Sequence, residues 1–341
     1  MNILVTGNNG YLGPVLCKRL IDKGYSVTGL DSNYFHGCDY YNFSLPVKQI
    51  IKDLRNIGKN DLRGIDAVVH LGGISNDPLG ALNPELTFGI NHKASVKLAK
   101  LAKDAGVGRF LFSSSCSMYG VAAGNIALTE DAPLNPVTAY AMSKANVERD
   151  ISKLADNNFS PVFLRNGTAY GVSPRLRVDL VLNNLVACAY TTGKIKIMSD
   201  GSPWRPLVHV EDISAAFIAL LEAPRDIIHN QAFNIGQNSE NYRVKEIAET
   251  VKKIVPNSEI EYAGKPDLDS RTYKVNFDKI KNKLINFQPK WNLEKGAVEL
   301  YNAFKKQNLS YEEFQGHKYI RLKHIAHLID NHKLDNNFFW I

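Results

Sequence analysis

Cysteine is scarce in this chain: Cys17, Cys38, Cys116 and Cys188 are the only four in 341 residues. None forms a CxxC pair and they lie far apart, which excludes a disulfide framework or a cysteine-based zinc site and fits reduced thiols in a cytoplasmic protein. No stretch approaches the roughly 18–20 uncharged apolar residues that a bilayer span requires. The chain opens directly on a strand pattern, so no removable leader is expected. Lys and Arg (41) outnumber Asp and Glu (34), for a net charge of +7, but no basic block interleaved with aromatics occurs. Nucleic acid is therefore not an expected partner, and the surplus reads as a solvated surface that can draw in an anionic substrate. Internal repeats and low-complexity tracts are also missing.

What is present is a globular composition, 44% hydrophobic and 22% charged. Short apolar runs at residues 3–5, 27–30, 67–71, 110–112, 162–164 and 232–235 alternate with helical patterns such as 91–105 and 139–155. This alternation predicts an α/β fold, a doubly wound parallel sheet covered by helices on both faces. After Tyr170 the pattern breaks at Gly171-Val172-Ser173-Pro174-Arg175, where a second lobe is expected to begin. The chain is expected to rejoin the sheet at Leu207-Val208-His209-Val210 and again at 232–235. The sheet domain would then comprise 1–171 with about 207–238, a discontinuous substrate-binding lobe about 172–206 with 239–305, and a helical extension 306–341.

The segment Leu4-Val5-Thr6-Gly7-Asn8-Asn9-Gly10-Tyr11-Leu12-Gly13 joins an apolar strand to three spaced glycines. Gly7 permits a sharp strand-to-helix turn, Gly10 lets backbone approach a pyrophosphate, and Gly13 lets the helix pack closely on the strand. The helix N-terminus adds free N–H groups and a positive dipole. A second run ends at Asp31, where an acceptor for ribose hydroxyls should lie, and its charge favours NAD over NADP. Asp31 could equally cap the following turn.

Tyr140-Ala141-Met142-Ser143-Lys144 places a phenol and an ammonium one helical turn apart. An adjacent cation favours the ionised phenol, so Tyr140 could remove a hydroxyl proton while hydride leaves the same carbon. The spacing alone also suits a surface pair. Upstream, Phe110-Leu111-Phe112 opens into the hydroxyl run Ser113-Ser114-Ser115-Cys116-Ser117, at the strand end where doubly wound sheets bind ligands.

Taken in order, residues 6–13, Asp31, Asp53-Leu54-Arg55, Asn91, the Ser115 run and Tyr140/Lys144 resemble the extended short-chain dehydrogenase/reductases, specifically their NAD-dependent nucleotide-sugar epimerase/dehydratase branch, over roughly residues 1–305. The resemblance implies that Ser115 hydrogen-bonds the substrate oxygen, that Tyr140 is the acid/base, and that Lys144 binds the nicotinamide ribose and lowers the tyrosine pKa. It implies a cofactor site of Gly7, Gly10, Tyr11, Leu12, Gly13, Asp31, Asp53, Leu54, Leu71, Asn91, Tyr140 and Lys144, with Asp53 and Leu54 at adenine and Asn91 supporting the adjacent helix. Asn184-Leu185 resembles the family's pair near the substrate diphosphate. Pro203-Trp204-Arg205-Pro206-Leu207-Val208-His209-Val210-Glu211-Asp212 resembles its Arg-x-x-x-His-Val-x-Asp element, which makes Arg205 a phosphate ligand. Arg271 is a second candidate, and Ser117 and Thr168 complete the substrate side. A homodimer is also implied.

Departures from the family pattern narrow the chemistry. Dehydratases of this branch carry Asp-Glu directly after the catalytic Thr or Ser, where this chain has Cys116 and Ser117, so dehydration is disfavoured. Relatives that epimerise carbons 3 and 5 place a cysteine at the position of Ser117. Cys116, one residue away on an extended segment, would face the other side and is expected to have no catalytic role. Thr168 stands where many relatives have Asn. The leading expectation is a nucleotide-sugar 4-epimerase working through a transient 4-keto sugar. A 4-dehydrogenase, 4-ketoreductase or dehydratase, or a cofactor-binding protein without activity, are the alternatives.

Beyond residue 308 the resemblance fades. Ser310-Tyr311-Glu312-Glu313 reads as a capping box, and Leu322, Ile325, Leu328 and Ile329 form a helical stripe expected to pack on the body or a neighbouring subunit, with Phe338, Phe339 and Trp340 anchoring its end. His317, His324, His327 and His332 lack a compact ligand set, and no metal site is expected.

Overall fold

Strands β1 (Asn2–Thr6), β2 (Ser26–Asp31), β3 (Lys48–Ile51), β4 (Ala67–His70), β5 (Arg109–Ser115), β6 (Ser160–Asn166) and β7 (Gln231–Ile235) form one sheet, ordered β3-β2-β1-β4-β5-β6-β7. Every pairing in it is parallel. The computed structural model describes residues 1–75, 77–122, 126–262 and 271–341. Among the described residues eight helices have ten or more residues: α1 (Gly13–Asp22), α2 (Ala94–Asp104), α3 (Ala139–Ser152), α4 (Val181–Thr192), α5 (Val210–Glu222), α6 (Val244–Ile254), α7 (Leu293–Gln307) and α8 (Arg321–Asp330).

Side chains alternate across each strand, so Ile3 and Val5 enter one core layer and Leu4 the other. On the first face they meet Leu16 and Leu20 of α1 and Phe217 and Leu220 of α5. On the second, Leu4, Val68 and Phe110 meet Leu98 of α2 and Val147 of α3. Burial on both faces explains why these strands are continuous apolar runs. Each such side chain contributes about 1.5–3 kcal/mol by leaving water. A second core lies among α4, α6 and α7 and a parallel pair of strands, Lys194–Ile197 and Glu259–Tyr262, with Leu182, Ile195, Ile247 and Phe304 at its centre.

The expected helix over 91–105 begins instead with a wide π-helical turn, Phe88–Lys93, that leads into α2. A second difference concerns Leu207-Val208-His209-Val210. The strand Trp204–His209 does not rejoin the main sheet; it pairs in parallel with Thr168–Tyr170 and antiparallel with Asn241–Arg243 in a small sheet of its own. Strand β6 ends at Asn166, and the chain beyond Gly167 leaves the main sheet to pair with this strand.

In the extension, Ser310 and Glu313 bond reciprocally as a capping box. Ile325, Leu334 and Phe338 then close over Ile74, Leu79, Leu86 and Ile90, so the extension packs on the body. Among the described residues no helix is long and apolar enough to cross a membrane.

Candidate functional site

The carboxyl ends of β1, β2, β4 and β5 open on a cavity of about 780 Å³, the crevice position expected of a doubly wound sheet. Gly7 sits at φ +73, and a Cβ there would meet the Gly72 nitrogen at 2.7 Å. A Cβ on Gly13 would meet the Asn8 oxygen at 2.3 Å. Both ends of the turn are thus sealed against backbone, while Gly10, Tyr11 and Leu12 line the cavity. Gly13 does not line it. It lets α1 press on the loop backbone, the close packing expected of it.

Asp31 lines the same cavity and accepts the N–H groups of Asn33 (2.7 Å) and Asn9 (3.0 Å). Burial pushes its carboxyl up, and these bonds with the charges of Arg175 and Arg321 pull it back. It therefore caps the turn and faces the cavity at once. Asp53, Leu54 and Leu71 also line the cavity. Asn91 does not: its side chain accepts from the Ile74 N–H (2.7 Å) and donates to the Ile74 carbonyl (2.9 Å). The wide turn of Phe88–Lys93 carries it, and through these two bonds it pins the loop after β4.

Ser115 ends β5, and Tyr140 and Lys144 lie one turn apart on α3; all three line the cavity. Lys144 Nζ donates to the Ser113 carbonyl (2.7 Å) and lies 5.7 Å from the centre of the Tyr140 ring. Burial pushes the Tyr140 phenol up to about 12, with the Asp77 charge adding to the rise. A hydrogen bond with Ser115 and the charges of Arg177 and Arg271 pull it down. Burial pushes the Lys144 ammonium down to about 7, against the pull of Glu148. Two arginines that the Tyr-Lys spacing does not reveal thus also bear on the phenol.

At the other end, Ser117, Thr168, Asn184, Leu185, Arg205 and Arg271 all line the cavity. Arg205 donates to the carbonyls of Trp204 (2.9 Å) and Arg271, and Arg271 forms an ion pair with Asp77, which also accepts from Thr138. Asn184 donates to the Val178 carbonyl (2.9 Å). Ser117 Oγ and Asn166 Oδ1 are buried without partners, polar atoms that suit a polar ligand. Cys116 faces away, with Sγ donating to the Arg165 carbonyl (3.1 Å).

Asp77, Asn166, Arg177, Asp179 and Arg321 also line the cavity, and sequence reasoning missed them. Arg177 pairs with Asp179 (2.8 Å) and donates to Ser75 Oγ (3.3 Å). The available signal was the charged Arg175-Leu176-Arg177-Val178-Asp179 stretch, which continues directly from the lobe boundary expected at 171–175. Among the described residues seven cationic and four acidic side chains line the cavity, so it favours a ligand with several negative charges.

A parallel sheet with a glycine turn at its first strand, an acidic second strand end and a Ser-Tyr-Lys set at the crevice defines a dinucleotide-dependent enzyme of the short-chain dehydrogenase/reductase type. The chain belongs to the NAD dependent epimerase/dehydratase family, whose model matches residues 3–236. It is 28% identical over 283 residues to the UDP-glucose 4-epimerase of Bacillus subtilis, covering 74% of this chain and 82% of that one. It is 27% identical over 334 residues to UDP-glucuronic acid decarboxylase 1 of Arabidopsis thaliana, covering 93% and 72%. Among solved structures, MoeE5 in complex with UDP-glucose and NAD superposes with a TM-score of 0.75 at 25% identity, covering 91% of this chain and all of that one. The UDP-N-acetylglucosamine 4-epimerase of Methanobrevibacter ruminantium M1 shares the fold, with a TM-score of 0.80 at 23% identity over 90% of this chain and 98% of that one. The cofactor is NAD, and the glycine turn and the Asp31 carboxylate that line the cavity fit it.

Proposed function

We propose that this protein is a nucleotide-sugar 4-epimerase that works through a transient 4-keto sugar. The observation that carries the reading is the convergence of Ser115, Tyr140 and Lys144 in the cavity that also holds the glycine turn and Arg205. When bound, NAD would accept the C4 hydride and give it back to the same carbon. Gly7, Gly10, Leu12, Asp31, Asp53 and Leu54 would hold it, and Lys144 would serve its nicotinamide ribose. Ser115 hydrogen-bonds the sugar's 4-oxygen, and Tyr140 takes the 4-hydroxyl proton and later returns it. Arg205 and Arg271, with Asn184 and Leu185, hold the diphosphate, while Ser117 and Thr168 face the sugar. Rotation of the keto sugar before reduction inverts C4.

Cys116 and Ser117 offer no carboxylate after Ser115, which supports epimerisation over dehydration. Net 4-oxidation or 4-ketoreduction would use the same side chains and is separated by the product. Residues 1–171 with about 207–238 form the cofactor domain, which also brings Ser115, Ser117 and Thr168 to the sugar, and about 172–206 with 239–305 form the nucleotide-sugar lobe. The enzyme acts as a cytoplasmic homodimer paired through α2 and α3.

Incubation with UDP-, dTDP-, GDP- and CDP-sugars should give the C4 epimer of one of them without accumulating NADH. Tyr140→Phe should lower turnover by about 10²–10⁴-fold, the usual share of acid–base catalysis, while NAD stays bound. Full activity in Tyr140→Phe would refute the mechanism.

A further inference from the structure

The extension beyond residue 308 is fastened to two segments that border the cavity, those the proposed function gives to the adenosine half of NAD. One is the turn after Asp31. Trp340 Nε1 donates to the Ser32 carbonyl (2.7 Å), Tyr34 donates to the Phe338 carbonyl (2.6 Å), and the Arg321 guanidinium lies 3.8 Å from the centre of the Phe35 ring. The other segment is 53–55. Arg55 donates to the Asn337 carbonyl (2.7 Å) and lies against the Phe339 ring, while Tyr34 bridges to Asp53 (3.1 Å). Arg321 and Phe338 line the cavity together with Asp31 and Leu54.

Arg321 is the telling residue. It is only 1% exposed, yet Nη1 has no partner and Nη2 reaches only the Arg175 carbonyl (3.1 Å). Among the described residues it makes no ion pair within contact distance; Arg177 and Arg175 add like charge nearby, opposed by the carboxylate of Asp179. A buried guanidinium left in this state is costly unless an anion completes its surroundings. The cavity it borders begins at the glycine turn, whose geometry suits a pyrophosphate.

We propose that the extension is part of the dinucleotide site: residues 320–340 roof the adenosine half of NAD, and Arg321 supplies a cation to its pyrophosphate, so that the cofactor is retained between turnovers. The assignment rests on NAD occupying this cavity. It adds a cofactor residue from outside the family's matched region.

Full-length protein stripped of cofactor tests it, with NAD, ADP-ribose and UDP as titrants followed by calorimetry. Arg321→Met should weaken NAD and ADP-ribose by about tenfold or more, the scale of one charge-assisted hydrogen bond, and leave UDP unchanged. Because it removes an unpaired buried charge, its unfolding temperature without cofactor should not fall. NAD and ADP-ribose affinities equal to wild type would overturn the proposal. Should Arg321→Met fail to fold, hydrogen exchange of the wild-type protein decides: NAD and ADP-ribose should slow exchange across 320–340 and UDP should not. Unchanged exchange there would overturn the roof. Wild-type protein that binds neither NAD nor ADP-ribose would instead refute the cofactor site itself.

Discussion

Lys144 carries an amine that burial makes reluctant to charge, at about 7 in the folded protein against 10.5 ordinarily. Between those values the unfolded chain holds one proton more than the native state, so stability should rise with pH. Chemical denaturation of cofactor-free protein from about pH 7 to about pH 9 should show that increment, and Lys144→Met should lack it. Equal slopes would mean that the amine is not held low. Ser115→Ala removes a hydroxyl poised at the reacting oxygen and should cost about 10²–10³ in kcat, the scale of one lost donor, with little change in NAD content. At this scale Ser115, Tyr140 and Lys144 were legible because strand-end hydroxyls and a one-turn Tyr-Lys pair sit in short contiguous motifs. Asp77, Arg177 and Arg321 were not, because loops and the extension fold back to bring them to the cavity.

Among the elements, the glycine turn and α1 behave as one unit. Gly13→Ala would drive a Cβ into the Asn8 carbonyl at 2.3 Å, so the loop must shift, at about 1–3 kcal/mol by the usual cost of overpacking. Differential scanning calorimetry should show the lower melting temperature, and the purified variant should carry less NAD. The extension is an element of the same kind. Phe338 is buried with Ile325 and Leu334 over Ile74 and Ile90, and Phe338→Ala should cost about 3–5 kcal/mol. Deleting residues 309–341 should also lower the melting temperature; an unchanged value would mean that the extension is not part of the core. Six of the seven main strands were visible as apolar runs because both faces of the sheet are covered. β3 was not, since Lys48-Gln49-Ile50-Ile51 lies at an edge with little burial. The apolar run at Leu207-Val208 marked a strand but could not say which sheet would take it, since that depends on where the chain turns after β6.

At the scale of the whole molecule, the positive surplus and the cation-rich cavity act together to favour a polyanionic ligand. Sedimentation should give twice the chain mass if the molecule pairs through α2 and α3. The central claim concerns what happens at C4, and one measurement reaches it directly. A nucleotide sugar deuterated at C4, chosen from the UDP-, dTDP-, GDP- and CDP-sugars by turnover, is incubated with the enzyme and followed by NMR. The account predicts an inverted C4 that keeps its deuterium, because the hydrogen leaves and returns within one closed site. Product that has lost the deuterium, or one equivalent of NADH formed for each sugar consumed, would contradict it.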